Sequence, residues 1–327
     1  MTTLKYIIKS VIKAVSLIIA LSILTFTLAQ LSPIDPVRAY VEAESLASPE
    51  QMEYISQKWG LNDPPLERYG KWVSSMLKGD MGDSIVYSRP VIDVIYENVK
   101  NSFWLMFVSW ILSGILGFAL GILAATYRDK LLDKAIRTFC YILSSTPTFW
   151  IGILLLLIFS VQLKIFPIGL SAPIGKAAAT VTVWDRIYHL ILPALTLSII
   201  GISSIALHTR EKMIEVWNSE YALFARARGE STFAIVKNHG IRNILLPAVT
   251  LQFASISELF GGSVLAENVF SYAGLGSVTV AAGTKGDLPL LLGITMFTGA
   301  IVFTGNMIAN LLYPVIDPRI KEAQHEK

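Results

Sequence analysis

Cysteine, charge and histidine are scarce in this chain, and each scarcity excludes a class of protein. The single cysteine, Cys140, excludes a disulfide within the chain and a cysteine-based metal cluster, and we interpret it as a small packed hydrophobe. Charged residues make up 16% of the 327 residues, whereas a typical soluble domain has about 25%. With 53% hydrophobic residues and a mean hydropathy of +0.57, the sequence predicts a membrane protein with several spans. A net charge of +3 is too small to indicate a nucleic-acid partner.

Catalytic and nucleotide-binding patterns are also missing. The histidines are scattered without the spacing of metal ligands: His189, His208, His239 and His325. The stretch from Gly169 to Gly175-Lys176 has five intervening residues where a Walker A motif has four. We therefore expect no catalytic, cofactor or metal site in this chain, and we expect any ATP to be bound by another chain. A membrane-anchored enzyme would need a catalytic arrangement that the sequence does not show.

Five stretches contain no Asp, Glu, Lys or Arg, and each exceeds the roughly 20 residues that a helix needs to cross a bilayer. They cover residues 14–34, 101–127, 138–163, 187–209 and 288–316. A sixth stretch at 245–267 is interrupted by Glu258 and closed by Glu267. The sequence therefore predicts an all-α membrane protein with six transmembrane helices. Gly117 and Gly121 form a GxxxG pattern, which predicts close helix packing in the second span.

The basic residues near the span ends predict the orientation. They are concentrated in the pieces that lie inside when the N-terminus is cytoplasmic, so we predict a multi-pass plasma-membrane protein with both termini inside. This divides the chain into an N-terminal transmembrane helix at 1–31, an extracytoplasmic segment at 32–102, a five-helix core at 103–316 with a cytoplasmic loop at 210–244, and a cytoplasmic tail at 317–327. Residues 1–31 also resemble a secretory signal, but the apolar run is at the long limit for one, so we favour an uncleaved helix. A short helix is predicted at 48–61.

The cytoplasmic loop contains the one long, basic, amphipathic segment between spans, from Ser219 to Pro247. Ser219 is placed to cap a helix and Gly229 to end it in the left-handed conformation. Three alanines predict a surface that another protein can approach closely: Ala222, Ala225 and Ala227. A second short helix is predicted from Ser231 to His239 and is ended by Gly240, with Pro247 near the start of the next apolar run.

The sequence ARARG at 225–229, followed by IRNILLP at 241–247, resembles the cytoplasmic loop of binding-protein-dependent ABC import permeases. In that family the loop inserts into a groove on the ATPase subunit. The resemblance therefore implies a set of docking residues: Glu220, Tyr221, Ala222, Ala225, Arg226, Ala227, Arg228 and Gly229. A DNA-binding helix-turn-helix also has two short helices, a glycine and arginines. The predicted spans on both sides disfavour that alternative.

Further stretches resemble the dipeptide, oligopeptide and nickel branch of these permeases, in order along the chain. They are Trp59–Pro65 with Tyr69 and Trp72, GDMGDSIVYSRPV at 79–91, Ser144–Trp150, ENVFSYAGLGSV at 267–278 and Tyr313–Arg319. Ala273 and Ile316 stand where the family has proline and leucine. The resemblance implies the type I ABC importer permease fold, with a small extracytoplasmic domain between helices 1 and 2. That domain would lie near the docked binding protein, or be a cap that packs on the helices, or both.

The family implies one of two homologous channel subunits of an importer that works by alternating access. The implied partners are a second permease, an extracytoplasmic substrate-binding protein and two ABC ATPase subunits that hold ATP and magnesium. A secondary transporter, the rival of another class, needs coupling charges in several spans and an inverted repeat. The sequence shows one charge within the spans and no repeat.

Two residues are candidates for the translocation path. Pro147 would bend the third span and free backbone carbonyls. Glu258 is an ionisable residue inside a span, so it marks a functional site or is a carboxyl that is paired or protonated. The run from Ser257 to Gly262 looks more like the nickel permeases, so nickel or a nickel chelate is the favoured substrate, with di- or oligopeptides as the alternative.

Overall fold

The computed structural model describes residues 2–31, 53, 63–177 and 180–316. Most of these residues are helical. In chain order the elements are α1 (Thr2–Gln30), α2 (Pro65–Leu77), β1 (Asp83–Ser84), β2 (Arg89–Pro90), α3 (Val91–Thr126), α4 (Leu131–Ser145), α5 (Thr148–Leu155, continued by π-helical turns over Leu156–Gln162), α6 (Val183–Trp217), α7 (Glu220–Ala227), α8 (Thr232–Ile235, continued by π-helical turns over Val236–Gly240), α9 (Ile241–Ala254), α10 (Ile256–Val269), α11 (Leu275–Lys285) and α12 (Leu288–Ile316). The tail at 317–327 and most of the helix predicted at 48–61 lie outside the described residues.

Three described helices are long and apolar enough to cross a membrane, within α1, α3 and α12. Three bent pairs also pass that test when each is taken as one span: α4 with α5, the two halves of α6, and α8–α9 with α10. Among the described residues the structure therefore offers between three and six spans by length and composition. The helix α3 begins at Val91. Residues 91–102 of the predicted extracytoplasmic segment are therefore part of this helix.

The chain forms two compact units, and the division between them falls within α3, directly before α11 and within α12. The first unit combines residues 1–102 with 273–307. In it α2 packs along α1, where Tyr69 Oη lies 2.8 Å from Ser22 Oγ and Arg68 donates to Gln30 at 2.7 Å. The two-residue strands β1 and β2 pair antiparallel, and a cluster that includes Val91, Ile95 and Leu290 forms the core.

The second unit, which combines residues 103–272 with 308–327, is organised around α6. This helix begins in a capping box of Thr182 and Asp185 and contains Pro193. It packs against α4, α5, α9 and α10. Its close contact with α3 depends on the predicted glycines, because a Cβ atom at Gly117 would lie 2.9 Å from the Ile202 carbonyl oxygen and one at Gly121 would lie 2.6 Å from that of Ala206. The GxxxG prediction is confirmed.

The chain turns sharply where a bend in the third span was predicted. Pro147 separates α4 from α5, and the two helices are bent by 110° relative to each other. Proline lacks a backbone N–H and disfavours helical geometry in the residue before it, so Thr146 is extended and ends α4. Pro147 therefore breaks the span instead of only bending it.

Two predictions about the segment after the loop are wrong. Gly240 does not end a helix, because α8 continues through it into α9. A Cβ atom at Gly240 would lie 2.7 Å from the end of the Met213 side chain, so this glycine allows α9 to approach α6 closely. Pro247 lies inside α9 and does not start it.

The predicted span at 245–267 is broken at Ser255, where α9 and α10 meet at an angle of 52°. The break leaves the Gln252 carbonyl without its usual helical partner. It accepts hydrogen bonds from Ser255 Oγ at 2.8 Å and from Trp110 Nε1 at 2.9 Å. A tryptophan from α3 therefore stabilises the bent form of this helix pair.

Candidate functional site

The predicted loop forms a compact helical hairpin, residues 218–240, which we name the docking loop. Its inner face is a small apolar cluster of Ala222, Ala225 and Ile235, against which Trp217 packs. Ala222 and Ala225 are buried, so their small side chains let α7 approach α8. The expectation that these two alanines form a low external surface is wrong, because the close approach that they allow is internal.

Both helices of the docking loop are capped at their N-termini, and α7 is also capped at its C-terminus. Ser219 Oγ accepts from the Ala222 amide, and Ser231 Oγ accepts from the Ala234 amide at 3.2 Å. The amide of Glu230 donates to the Ala225 carbonyl at 3.1 Å, and that of Gly229 donates to the Arg226 carbonyl at 2.9 Å. This is a Schellman motif, which needs a residue with positive φ after the helix. Gly229 supplies it with φ of 83°, as predicted.

The two arginines of ARARG have different surroundings. The Arg226 guanidinium lies 5.0 Å from the centre of the Trp217 ring, and its Nη2 donates to the Trp217 carbonyl at 2.5 Å. Arg226 therefore ties α7 to the last turn of α6, while still being exposed on one side. Arg228 lies 6.0 Å from the centre of the Phe224 ring and is exposed.

The docking loop exposes large apolar side chains among its charged ones. Leu223, Phe224 and Phe233 are 55%, 65% and 75% exposed, and Tyr221 is exposed beside them in the sequence. Glu220 and Ala227 of α7 are also exposed, as is Arg228 directly after this helix. The sequence reasoning missed Leu223, Phe224 and Phe233, although large apolar side chains between charges, in a segment too short to span a bilayer, were a visible signal.

The two path candidates lie at two different helix breaks. Pro147 is exposed at the turn between α4 and α5. Glu258 is exposed in the first turn of α10, directly after the break at Ser255, and its amide donates to the Ser255 carbonyl at 3.1 Å. Glu267, which lies near the other end of α10, is buried. That either residue lines the translocation path stays a prediction.

Comparison with known proteins gives matches along most of the chain. The family model described as binding-protein-dependent transport system inner membrane component matches residues 117–322, and the model of its N-terminal part matches residues 3–109. The "Oligopeptide transport system permease protein AppB" of Bacillus subtilis (strain 168) is 34% identical over 317 residues, covering 97% of this chain and 99% of that protein. The "Probable peptide ABC transporter permease protein y4tP" of Sinorhizobium fredii (strain NBRC 101917 / NGR234) is 32% identical over 316 residues, covering 97% and 99%.

The fold also resembles a solved structure. The chain aligns with a structure titled "Inward facing conformations of the MetNI methionine ABC transporter: CY5 SeMet soak crystal form" with a TM-score of 0.55. The sequences are 15% identical, and the alignment covers 68% of this chain and 96% of the other. At this identity the likeness concerns the fold alone.

Proposed function

Because the chain belongs to the family of binding-protein-dependent transport system inner membrane components and is an ABC importer permease, we propose that it forms half of a channel that imports peptides. The proposal is supported by the relatives, which are named for oligopeptide and peptide transport and match the chain over nearly its whole length. The nickel substrate that the run Ser257 to Gly262 favours finds no support among these relatives. The exposed carboxylate of Glu258 can attract the ammonium end of a peptide as well as a metal cation.

The proposed topology has six spans, with both termini and the docking loop in the cytoplasm. Three spans are the long helices α1, α3 and α12, and the other three are the bent pairs. This arrangement puts the segment between α1 and α3 outside, as a small extracytoplasmic domain. It is consistent with the basic residues of the docking loop and of the turn before α4.

The docking loop is the proposed contact for a cytoplasmic ATPase subunit, and its exposed apolar side chains carry this assignment. Burying a leucine or phenylalanine side chain that is otherwise in water is worth about 1.5–3 kcal/mol. Leu223, Phe224 and Phe233 therefore offer several kcal/mol to a partner with a complementary groove. Within the chain, Arg226 and Trp217 attach this loop to α6, so a movement of the partner is passed to the helix around which the second unit is built.

In the proposed cycle the second permease completes the channel and the binding protein delivers the peptide from outside. ATP binding draws the two ATPase subunits together, and ATP and magnesium stay on those subunits. Each docking loop follows its ATPase, and the cavity opens alternately to the two sides. This chain contributes positioning and no covalent chemistry.

The test is uptake of a labelled oligopeptide and of radioactive nickel in cells with and without this chain. We expect deletion to abolish peptide uptake and leave nickel uptake unchanged. Depleting ATP while an ion gradient is kept should also stop peptide uptake. Loss of nickel uptake alone would overturn the peptide assignment, and uptake that follows the ion gradient without ATP would identify a secondary transporter.

A further inference from the structure

A buried carboxylate joins α4 to α6 near the base of the docking loop. Asp133 is fully buried in the first turn of α4. Its two oxygens accept hydrogen bonds from Arg210 Nε and Nη2, both at 2.7 Å. Its Oδ2 also accepts from the Asp129 amide at 2.9 Å. The paired geometry of a guanidinium and a carboxylate fixes orientation as well as distance, so this contact aligns the two helices.

The same carboxylate has a second arginine beside it. Arg137 lies one turn further along α4, with its Nε 3.3 Å from Asp133 Oδ1. This Nε is buried and, among the described residues, has no hydrogen-bond partner. The Nε is thus close to the carboxylate without forming a hydrogen bond to it, and a buried donor usually has such a bond in a native structure. Arg137 is therefore placed to donate a hydrogen bond to the carboxylate when the contact with Arg210 is lost.

Arg210 stands on the part of α6 that holds the docking loop. The helix continues from Arg210 for two turns, about 10 Å at 1.5 Å per residue, before it ends at Trp217. Within these turns Met213 contacts Gly240 at the start of α9, and Trp217 binds Arg226 of α7. Movement of the docking loop therefore acts on the same two turns from which Arg210 reaches α4.

The other end of α4 leads to the break at Pro147. From there α5 packs against α6 and α10, and a Cβ atom at Gly152 would lie 3.1 Å from Thr196 and 3.3 Å from Val269. Loss of the Asp133–Arg210 pair would leave α4 in contact with α6 through Ile136, Cys140 and Ala206, so the α4–α5 pair could change its angle about this contact while α5 keeps its own packing.

We propose that Asp133 is a switchable positioning residue, whose carboxylate exchanges between Arg210, which ties α4 to α6, and Arg137, which lets α4 change its angle to α6. The exchange stays inside the buried site and leaves the carboxylate paired in both states, which avoids the large cost of stranding a buried charge. It rests on the proposed function, because the movement that drives it is that of the docking loop under ATP.

The test uses the full complex in lipid vesicles, with Cys140→Ala to remove the native thiol and spin labels at Leu131→Cys and Glu211→Cys. Both labelled positions are exposed, on α4 and α6. We expect the label distance to have two populations whose ratio changes between the resting and the ATP-trapped complex. Arg137→Met should collapse them to the shorter distance and lower transport at least tenfold, with ATPase binding unchanged. Arg137→Lys keeps a positive charge beside the carboxylate and should restore part of the transport.

A purely structural ion pair predicts a different result, which is one distance in every state. That outcome, or an Arg137→Met complex that transports like the unmodified one, would overturn the exchange. Failure of the proposed function is distinct, because the unmodified protein would then bind no ATPase subunit. Arg210→Met provides an independent measurement. It should show only the longer distance, with ATP hydrolysis continuing and transport lost, and a short distance in this variant would also overturn the exchange.

Discussion

Two short connections of this molecule, the hairpin at 83–90 in the first unit and the docking loop in the second, differ in how far they bury their side chains, although Tyr87 of the hairpin is also 37% exposed. In the hairpin Ser84 and Ile85 are buried, and Ser84 Oγ and the Val86 amide donate to the buried carboxylate of Asp287 at 2.6 and 2.9 Å. The docking loop also forms hydrogen bonds within its own backbone, but it leaves three large apolar side chains exposed: Leu223, Phe224 and Phe233. This difference is the reason why we propose the docking loop, and not the hairpin, as the contact for an ATPase subunit.

The comparison is sharpest between the two faces of α7. Replacing Ala225 with Glu puts an unpaired charge into the inner cluster, which we expect to cost about 3–5 kcal/mol of folding stability. Ala227→Glu adds the same charge on the exposed face and should leave stability unchanged. Thermal unfolding can be followed with a thiol-reactive dye, because the only cysteine, Cys140, is buried until the protein unfolds. Equal melting temperatures for the two variants would contradict the division into inner and outer faces.

The stability of the hairpin at 83–90 should depend on the Asp287 carboxylate that accepts its hydrogen bonds, and not on an ATPase subunit. Asp287→Ala removes the acceptor of Ser84, of the Val86 amide and of the Leu290 amide, whose bond is 3.1 Å long. Leaving buried donors unpaired should cost about 2–4 kcal/mol. Hydrogen exchange at residues 84–91 should accelerate accordingly, while the affinity for the ATPase subunits stays the same. A change in that affinity would show that the two connections are not independent.

The sequence predicted helix ends and one close helix contact correctly, because a single residue type determines each of them. Ser219 and Gly229 cap α7 as expected, and Gly117 and Gly121 admit α6 closely, because each effect depends on local geometry alone. The family was identified from its loop sequence for the same reason.

Tertiary packing explains what the sequence reasoning missed. The role of Gly240 depends on Met213, which is distant in sequence, and a helix stop is the usual reading of such a glycine. Ala222 and Ala225 could face either way until α8 was seen to pack on them. The exposed face of Leu223, Phe224 and Phe233 followed only once the inner face was known.

A smaller effect is expected at the turn of the docking loop. Gly229→Ala places a side chain at a φ of 83°, where nothing lies within 4 Å of the new Cβ atom, so the cost is the backbone strain alone, about 1 kcal/mol. We expect up to about a tenfold loss of affinity for the ATPase subunits. Gly79→Ala has the same strain with φ of 85° and open space, and it should not change this affinity. Equal losses in both variants would assign the effect to general destabilisation.

The most direct test of the account is the affinity of purified ATPase subunits for the permease when exposed apolar residues are made acidic in either region. Phe224→Asp with Phe233→Asp should weaken binding by about 100-fold or more, since each removes roughly 1.5–3 kcal/mol of burial. Leu66→Asp with Leu77→Asp changes two side chains that are both 83% exposed on α2, and it should leave the affinity unchanged. ATPase subunits that bind the phenylalanine variant as tightly as the unmodified protein would contradict the docking assignment.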